Sequence, residues 1–98
     1  MATDEELAVT ADSLLDATLA DANSKLAKDI KKYSITGEYI MDITVVGPKG
    51  AVTTVFCESD EKTNIPMQNT LKDLIRKQLF DIGLPKEKKL KFRYTFQL

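Results

Sequence analysis

From Leu90 to Leu98 the chain alternates without a break. Leu90, Phe92, Tyr94, Phe96 and Leu98 fall on one side, Lys91, Arg93, Thr95 and Gln97 on the other. A period of two places all five apolar side chains on one face of a β-strand. Such a strand, greasy on one face and basic on the other, must bury its apolar row against a core. If nothing follows it in the sheet, its outer backbone groups form an edge to which another strand can pair.

The remaining elements are read around that strand. Ninety-eight residues make one domain with a single core and little room for a deep, enclosed active site. Thr3 and Glu6 have the spacing of a capping box, with acids in the first turn. Leu7, Ala11, Leu14 or Leu15, Leu19, Ala22, Leu26, Ile30 and Tyr33 then recur at steps of three and four, which predicts one amphipathic helix through residues 1–33. At 1.5 Å per residue, a helix from Asp4 to Lys32 would be roughly 40 Å long, so part of it would project, bend or pack on a second copy.

Gly37 opens a strand in which Tyr39, Met41, Ile43 and Val45 share one face. Gly47-Pro48-Lys49-Gly50 reads as a hairpin turn, and a β-branched return strand runs from Ala51 to about Glu58. After a polar connection, Asn64 is suited to cap a second helix, with Pro66 in its first turn. Met67, Leu71, Leu74, Ile75, Leu79 and Ile82 give its stripe, and Gly83 followed by Pro85 marks the expected stop. The reading is an α+β domain: helix, hairpin, helix, strand, with a three-stranded antiparallel sheet in the order 2-1-3 and helices on one face.

Charge and composition narrow the chemistry. The hydrophobic fraction of 43% and the charged fraction of 30% are those of a folded globular domain. Net charge is −1, yet residues 1–24 carry six acids and no base, whereas residues 84–98 carry Lys86, Lys88, Lys89, Lys91 and Arg93 against Glu87 alone. The acidic end would repel phosphates, so no nucleic-acid partner is expected. Histidine is absent, which removes the commonest general acid/base and the usual nucleophile pairs. The single Cys57 excludes an intramolecular disulfide and any Cys-based zinc site. No 18-residue apolar stretch is present, and Asp4, Glu5 and Glu6 stand where the basic region of a signal peptide belongs.

Individual candidates for chemistry are weak. Asp42 is a lone carboxylate on a strand face. Glu58, Asp60 and Glu61, with Ser59 and Asn64, lack the ligand alternation and turn glycine of an EF-hand, and read as a polar loop. Gly47-x-x-Gly50 between alternating strands is a turn before it is a phosphate or RNA grip. Phe92, Tyr94 and Phe96 share their face with Leu90 and Leu98, which argues for core rather than base stacking. No enzyme, catalytic residue, metal or cofactor is expected.

Gly37, Gly50, the apolar positions Val52, Val55 and Cys57, Ser59 just after them, the segment Leu74 to Phe80 and the strand Phe92 to Leu98 occur in order with few gaps. In these features residues 37–98 resemble the C-terminal domain of TonB, the energy transducer of Gram-negative envelopes, and its relatives. Ser34 after Tyr33 and Ile82 after the helix depart from that pattern, which usually has proline there. The N-terminal helix has no counterpart in it. The family's membrane anchor and Pro-rich spacer are absent from this sequence.

What the resemblance implies is a non-enzymatic interaction module of the periplasm or cell envelope. It would take an extended segment of an outer-membrane or surface protein at its last strand, with Lys89, Lys91, Arg93, Tyr94, Thr95 and Gln97 as the contacting residues. The basic positions among them would favour acidic peptides. The alternative is an assembly protein, cytoplasmic or otherwise, that self-associates as a homodimer through the long helix and the free sheet edge.

Overall fold

The computed structural model describes residues 2–58 and 64–98. Along them lie α1 (Asp4–Ala20), α2 (Lys25–Lys32), β1 (Glu38–Val46), β2 (Ala51–Glu58), α3 (Ile65–Arg76) and β3 (Lys89–Gln97). The strands form one antiparallel sheet in the order β2-β1-β3. This is the α+β fold and strand order read from the sequence. The molecule is 18 Å across its thinnest axis, which one sheet and one layer of helices fill.

The alternating rows land where their period places them. Tyr39, Met41, Ile43 and Val45 of β1 and Leu90, Phe92, Tyr94 and Phe96 of β3 are buried beneath the helices. α1 lies along β3 and α3 along β2, so each outer strand has its own helix above it. β2 departs from strict alternation. Its register with β1 shifts between Thr44 and Val45, leaving Thr53 as the extra residue of a bulge. Because of that bulge Val52 and Val55, three positions apart, both face the helices, with Val55 buried and Val52 partly so.

The N-terminal stripe is not one helix but two. Residues 21–24 break it, and the reason lies in their side chains. Asp21 accepts the N–H of Asn23 at 2.9 Å, and Ser24 accepts the N–H of Ala27 at 3.1 Å as the cap of α2. The Ser24 hydroxyl also donates to the carbonyl of Thr18 at 2.6 Å, so a single side chain serves the end of one helix and the start of the next. The break lets Leu26 reach the same core as Leu7, Ala11 and Leu15. Ala22 is exposed in the break, and Tyr33 is exposed just past the end of α2.

α3 also ends earlier than Gly83. It starts as expected, with the Asn64 side chain accepting the N–H of Met67 at 3.0 Å and Pro66 in the first turn. It stops at Arg76, and the following segment runs back to the hairpin, where Phe80 N–H donates to the Gly50 carbonyl at 2.9 Å. Leu79, predicted to lie in the helical stripe, is 61% exposed. Phe80 and Leu84 are buried in its stead, Phe80 edge-on to Phe92 with ring centroids 5.5 Å apart. Leaving the helix exchanges a leucine for the larger apolar area of a phenylalanine.

This return segment also explains the turn. Gly50 adopts φ +75°, and a β-carbon there would sit 1.8 Å from the Phe80 carbonyl oxygen. A β-carbon on Gly47 would meet the Pro85 carbonyl at 2.0 Å. The two glycines are small because backbone covers them, which leaves no space for a phosphate or an RNA backbone.

Phe92 joins β3, the return segment and α1, so its truncation should be felt by all three. Phe92→Ala is expected to cost about 3–5 kcal/mol, a large share of a small domain's stability, in urea or thermal unfolding.

Candidate functional site: the free edge of the last strand

β3 is the end strand of the sheet, and its hydrogen-bonding parity follows from one pair. Gly37 and Leu98 exchange both of their N–H···O=C bonds, at 2.9 Å each way. In an antiparallel ladder such pairs alternate with unbonded ones. Stepping by two along the register, Phe96, Tyr94, Phe92 and Leu90 bond β1 through Tyr39, Met41, Ile43 and Val45. The far end agrees, since Gly47 N–H donates to the Lys88 carbonyl at 2.9 Å. The backbone groups of Lys89, Lys91, Arg93, Thr95 and Gln97 therefore point away from the sheet. Arg93 and Thr95 share this parity, so both N–H groups face outward.

The side chains of those five residues are exposed and lie on the helix-free face. Arg93 is not a free cation. It stands opposite Asp42 on β1 and grips it with two bonds, Nε to Oδ1 at 3.0 Å and Nη2 to Oδ2 at 3.3 Å. The guanidinium hydrogen bond holds the Asp42 carboxyl below the usual carboxylate range. Asp42 is thus a cross-strand partner rather than a lone acid. The basic character available to a visitor comes chiefly from Lys89 and Lys91.

Tyr94 sits differently from the other residues assigned to partner contact. Its side chain is 6% exposed on the core face, edge-on to Phe96, and its hydroxyl donates to the Asp16 carboxylate on α1. Burial, then the Asp16 hydrogen bond, pushes the phenol pKa well up. Tyr94 holds α1 against the strand and lines the hollow beside Asp16. Lys88 ties the other end, its ammonium 3.0 Å from Asp4.

With α1 fixed in this way, two hollows open between the helix and the edge. One, of about 400 Å³, lies among Ala8, Val9 and Asp12 of α1 and Lys91, Phe92 and Arg93 of β3. The other, of about 430 Å³, lies among Asp16, Leu19, Ala27, Ile30, Thr95 and Gln97, with Leu98 half out of the core at its rim. The sequence offered no signal for either hollow, because they arise from the placement of α1 beside β3.

Other candidates recede. Burial raises the Cys57 thiol, with Glu58 adding to the rise and Lys72 opposing it, so it stays protonated at neutral pH. Among the described residues no three carboxylates, thiols or imidazoles converge on a point. The acidic loop considered for calcium has Ser59, Asp60 and Glu61 outside the described residues. Among the described residues no helix is long and apolar enough to cross a membrane. No protein-family model matches the chain, and no curated protein or solved structure matches it either.

Two measurements check this geometry. In a double-mutant cycle, Tyr94→Phe and Asp16→Asn should each cost about 1–2 kcal/mol, and the double variant should cost little more than either alone. For the edge pair, Arg93→Gln should return the Asp42 carboxyl toward the ordinary range in an NMR titration. A lowered carboxylate stabilises the fold above its unfolded value, and that contribution is lost as pH falls through the lowered folded value. The stability gap between parent and Arg93→Gln should accordingly close on acidification.

Proposed function

We propose that this chain is a non-enzymatic protein-binding module that accepts an extended segment as a fourth strand beside β3. The observation that carries the reading is the row of outward backbone groups from Lys89 to Gln97 on an end strand. In strand addition such groups supply main-chain hydrogen bonds, and neighbouring side chains supply selection. Lys89, Lys91, Arg93, Thr95 and Gln97 are the contacting residues in this reading, and Tyr94 acts through the placement of α1.

The resemblance of residues 37–98 to the TonB C-terminal domain supports an envelope setting, with an outer-membrane or surface protein contributing the segment. Self-association through the N-terminal helix has less in its favour. α1 already spends its apolar stripe of Leu7, Ala11 and Leu15 on this chain's own core. Fractionation of the native host tests the setting separately from the binding mode.

Proline at an outward position separates backbone pairing from side-chain contact, because it deletes one donor without breaking the β1–β3 ladder. Thr95→Pro should fold, whereas Phe96→Pro, which removes a bond to Tyr39, should not. Nine-residue peptides selected from a displayed library on the parent should lose at least roughly tenfold in affinity for folded Thr95→Pro and little for Lys91→Gln. Undiminished binding to folded Thr95→Pro would sink strand addition.

A further inference from the structure

The two hollows lie on one line. α1 and β3 run in the same direction, with Ala8, Val9 and Asp12 beside residues 91–93 and Asp16 beside Thr95 and Gln97. Asp12 and Asp16 are one helical turn apart, about 6 Å at the helical rise. Two residues of extended chain span about 7 Å. Side chains of an added strand at positions i and i+2 share a face and would therefore meet one carboxylate each.

On its helix side each hollow combines an apolar wall with one carboxylate, while Lys91 and Arg93 border the first along β3. Val9, 66% exposed, and Ala8 flank Asp12 in the first. Leu19 and Ile30 flank Asp16 in the second. Residues 1–24 contain no lysine or arginine, so α1 offers nothing to neutralise either acid. Burial and the nearby Asp16 both raise the Asp12 carboxyl. A wall of this kind suits a lysine or arginine, whose aliphatic stem lies along the apolar surface while its charge meets the carboxylate. On the opposite face of the same added strand, the positions between and beside them would stand near Lys91 and Arg93.

Resting on the strand-addition reading, we propose that the segment accepted by β3 carries an alternating charge code. It has lysine or arginine at i and i+2 facing α1, and aspartate or glutamate between and beside them facing the open side of the sheet. A second copy of this chain does not fit the code. A second β3 brings no acid on its helix-free face and no cation on its core face, so it leaves Lys89, Lys91 and Asp12 without partners.

The test uses two blocked nine-residue peptides of one composition. The first reads Val-Glu-Lys-Glu-Lys-Glu-Val-Glu-Val, and the second groups its lysines and its glutamates in separate blocks. The alternating peptide should bind the full chain at least roughly tenfold more tightly and slow amide exchange at Lys91, Arg93, Thr95 and Gln97. Asp12→Asn should weaken it about two- to threefold and Asp12→Lys about tenfold, with binding recovered when the lysine meeting that hollow is replaced by glutamate.

Peptides that protect the β3 amides equally in either order, or affinities unmoved by Asp12→Lys in a variant that melts like the parent, would overturn the code and leave strand addition standing. Failure of the alternating peptide to bind would also overturn the code, while the library selection above judges strand addition on its own. Concentration-dependent dimerisation of the free chain that protects the same amides would overturn it by naming a second copy as the occupant.

Discussion

The central strand carries the fold. β1 bonds β2 through one set of its backbone groups and β3 through the other, and its row Tyr39, Met41, Ile43 and Val45 is sealed beneath the helices. Each of those side chains fixes the register of both neighbours, because a slip by one residue would turn the apolar row of either outer strand to water. The helices settle on what this ladder presents. α3 covers β2, α1 covers β3, and the return segment after α3 seals the hairpin through Phe80. Even the turn glycines follow from it, since the Phe80 and Pro85 carbonyls come to rest where β-carbons would be.

The features legible in the sequence were those set by short-range periodicity. Strict alternation in β1 and β3, the Gly-Pro-Lys-Gly turn, and the Asn64 and Pro66 helix start each state a local geometry that the core then accepts. What was not legible came from competition between local and distant terms. Steps of three and four continue from Leu19 through Leu26, so periodicity alone sees one helix. The break is written instead in Asp21, Asn23 and Ser24, whose polar side chains bond nearby backbone. The end of α3 has no glycine or proline to announce it. It is decided by the reach of Phe80 to Phe92, a contact between residues far apart in the chain.

The same contrast governs the candidate site. Alternation made the edge visible and assigned Lys89, Lys91, Arg93, Thr95 and Gln97 to its outer face. Composition could not show that Arg93 is engaged with Asp42, since cross-strand opposition depends on register. Nor could it place Tyr94, which shares the apolar face and reaches Asp16 on a helix far away in sequence. The acid-rich N-terminus and the base-rich C-terminus meet at Lys88 and Asp4. Along the rest of the edge they remain on opposite sides of β3, the acids above and the bases below.

That separation bears on how an open edge is kept from pairing at random. Lysines on an edge discourage pairing with a copy of the same strand, which brings them no acid. Here the lysines act only on the helix-free face, whereas the other face of the edge is overhung by α1 and its acids. A segment carrying one sign of charge throughout meets repulsion on one face or the other. A purely apolar segment finds part of each hollow but leaves Asp12 and the lysines without partners. On the strand-addition reading, a strand whose charges alternate is the one that satisfies both faces at once, so the arrangement that discourages indiscriminate pairing would also select the segment that pairs.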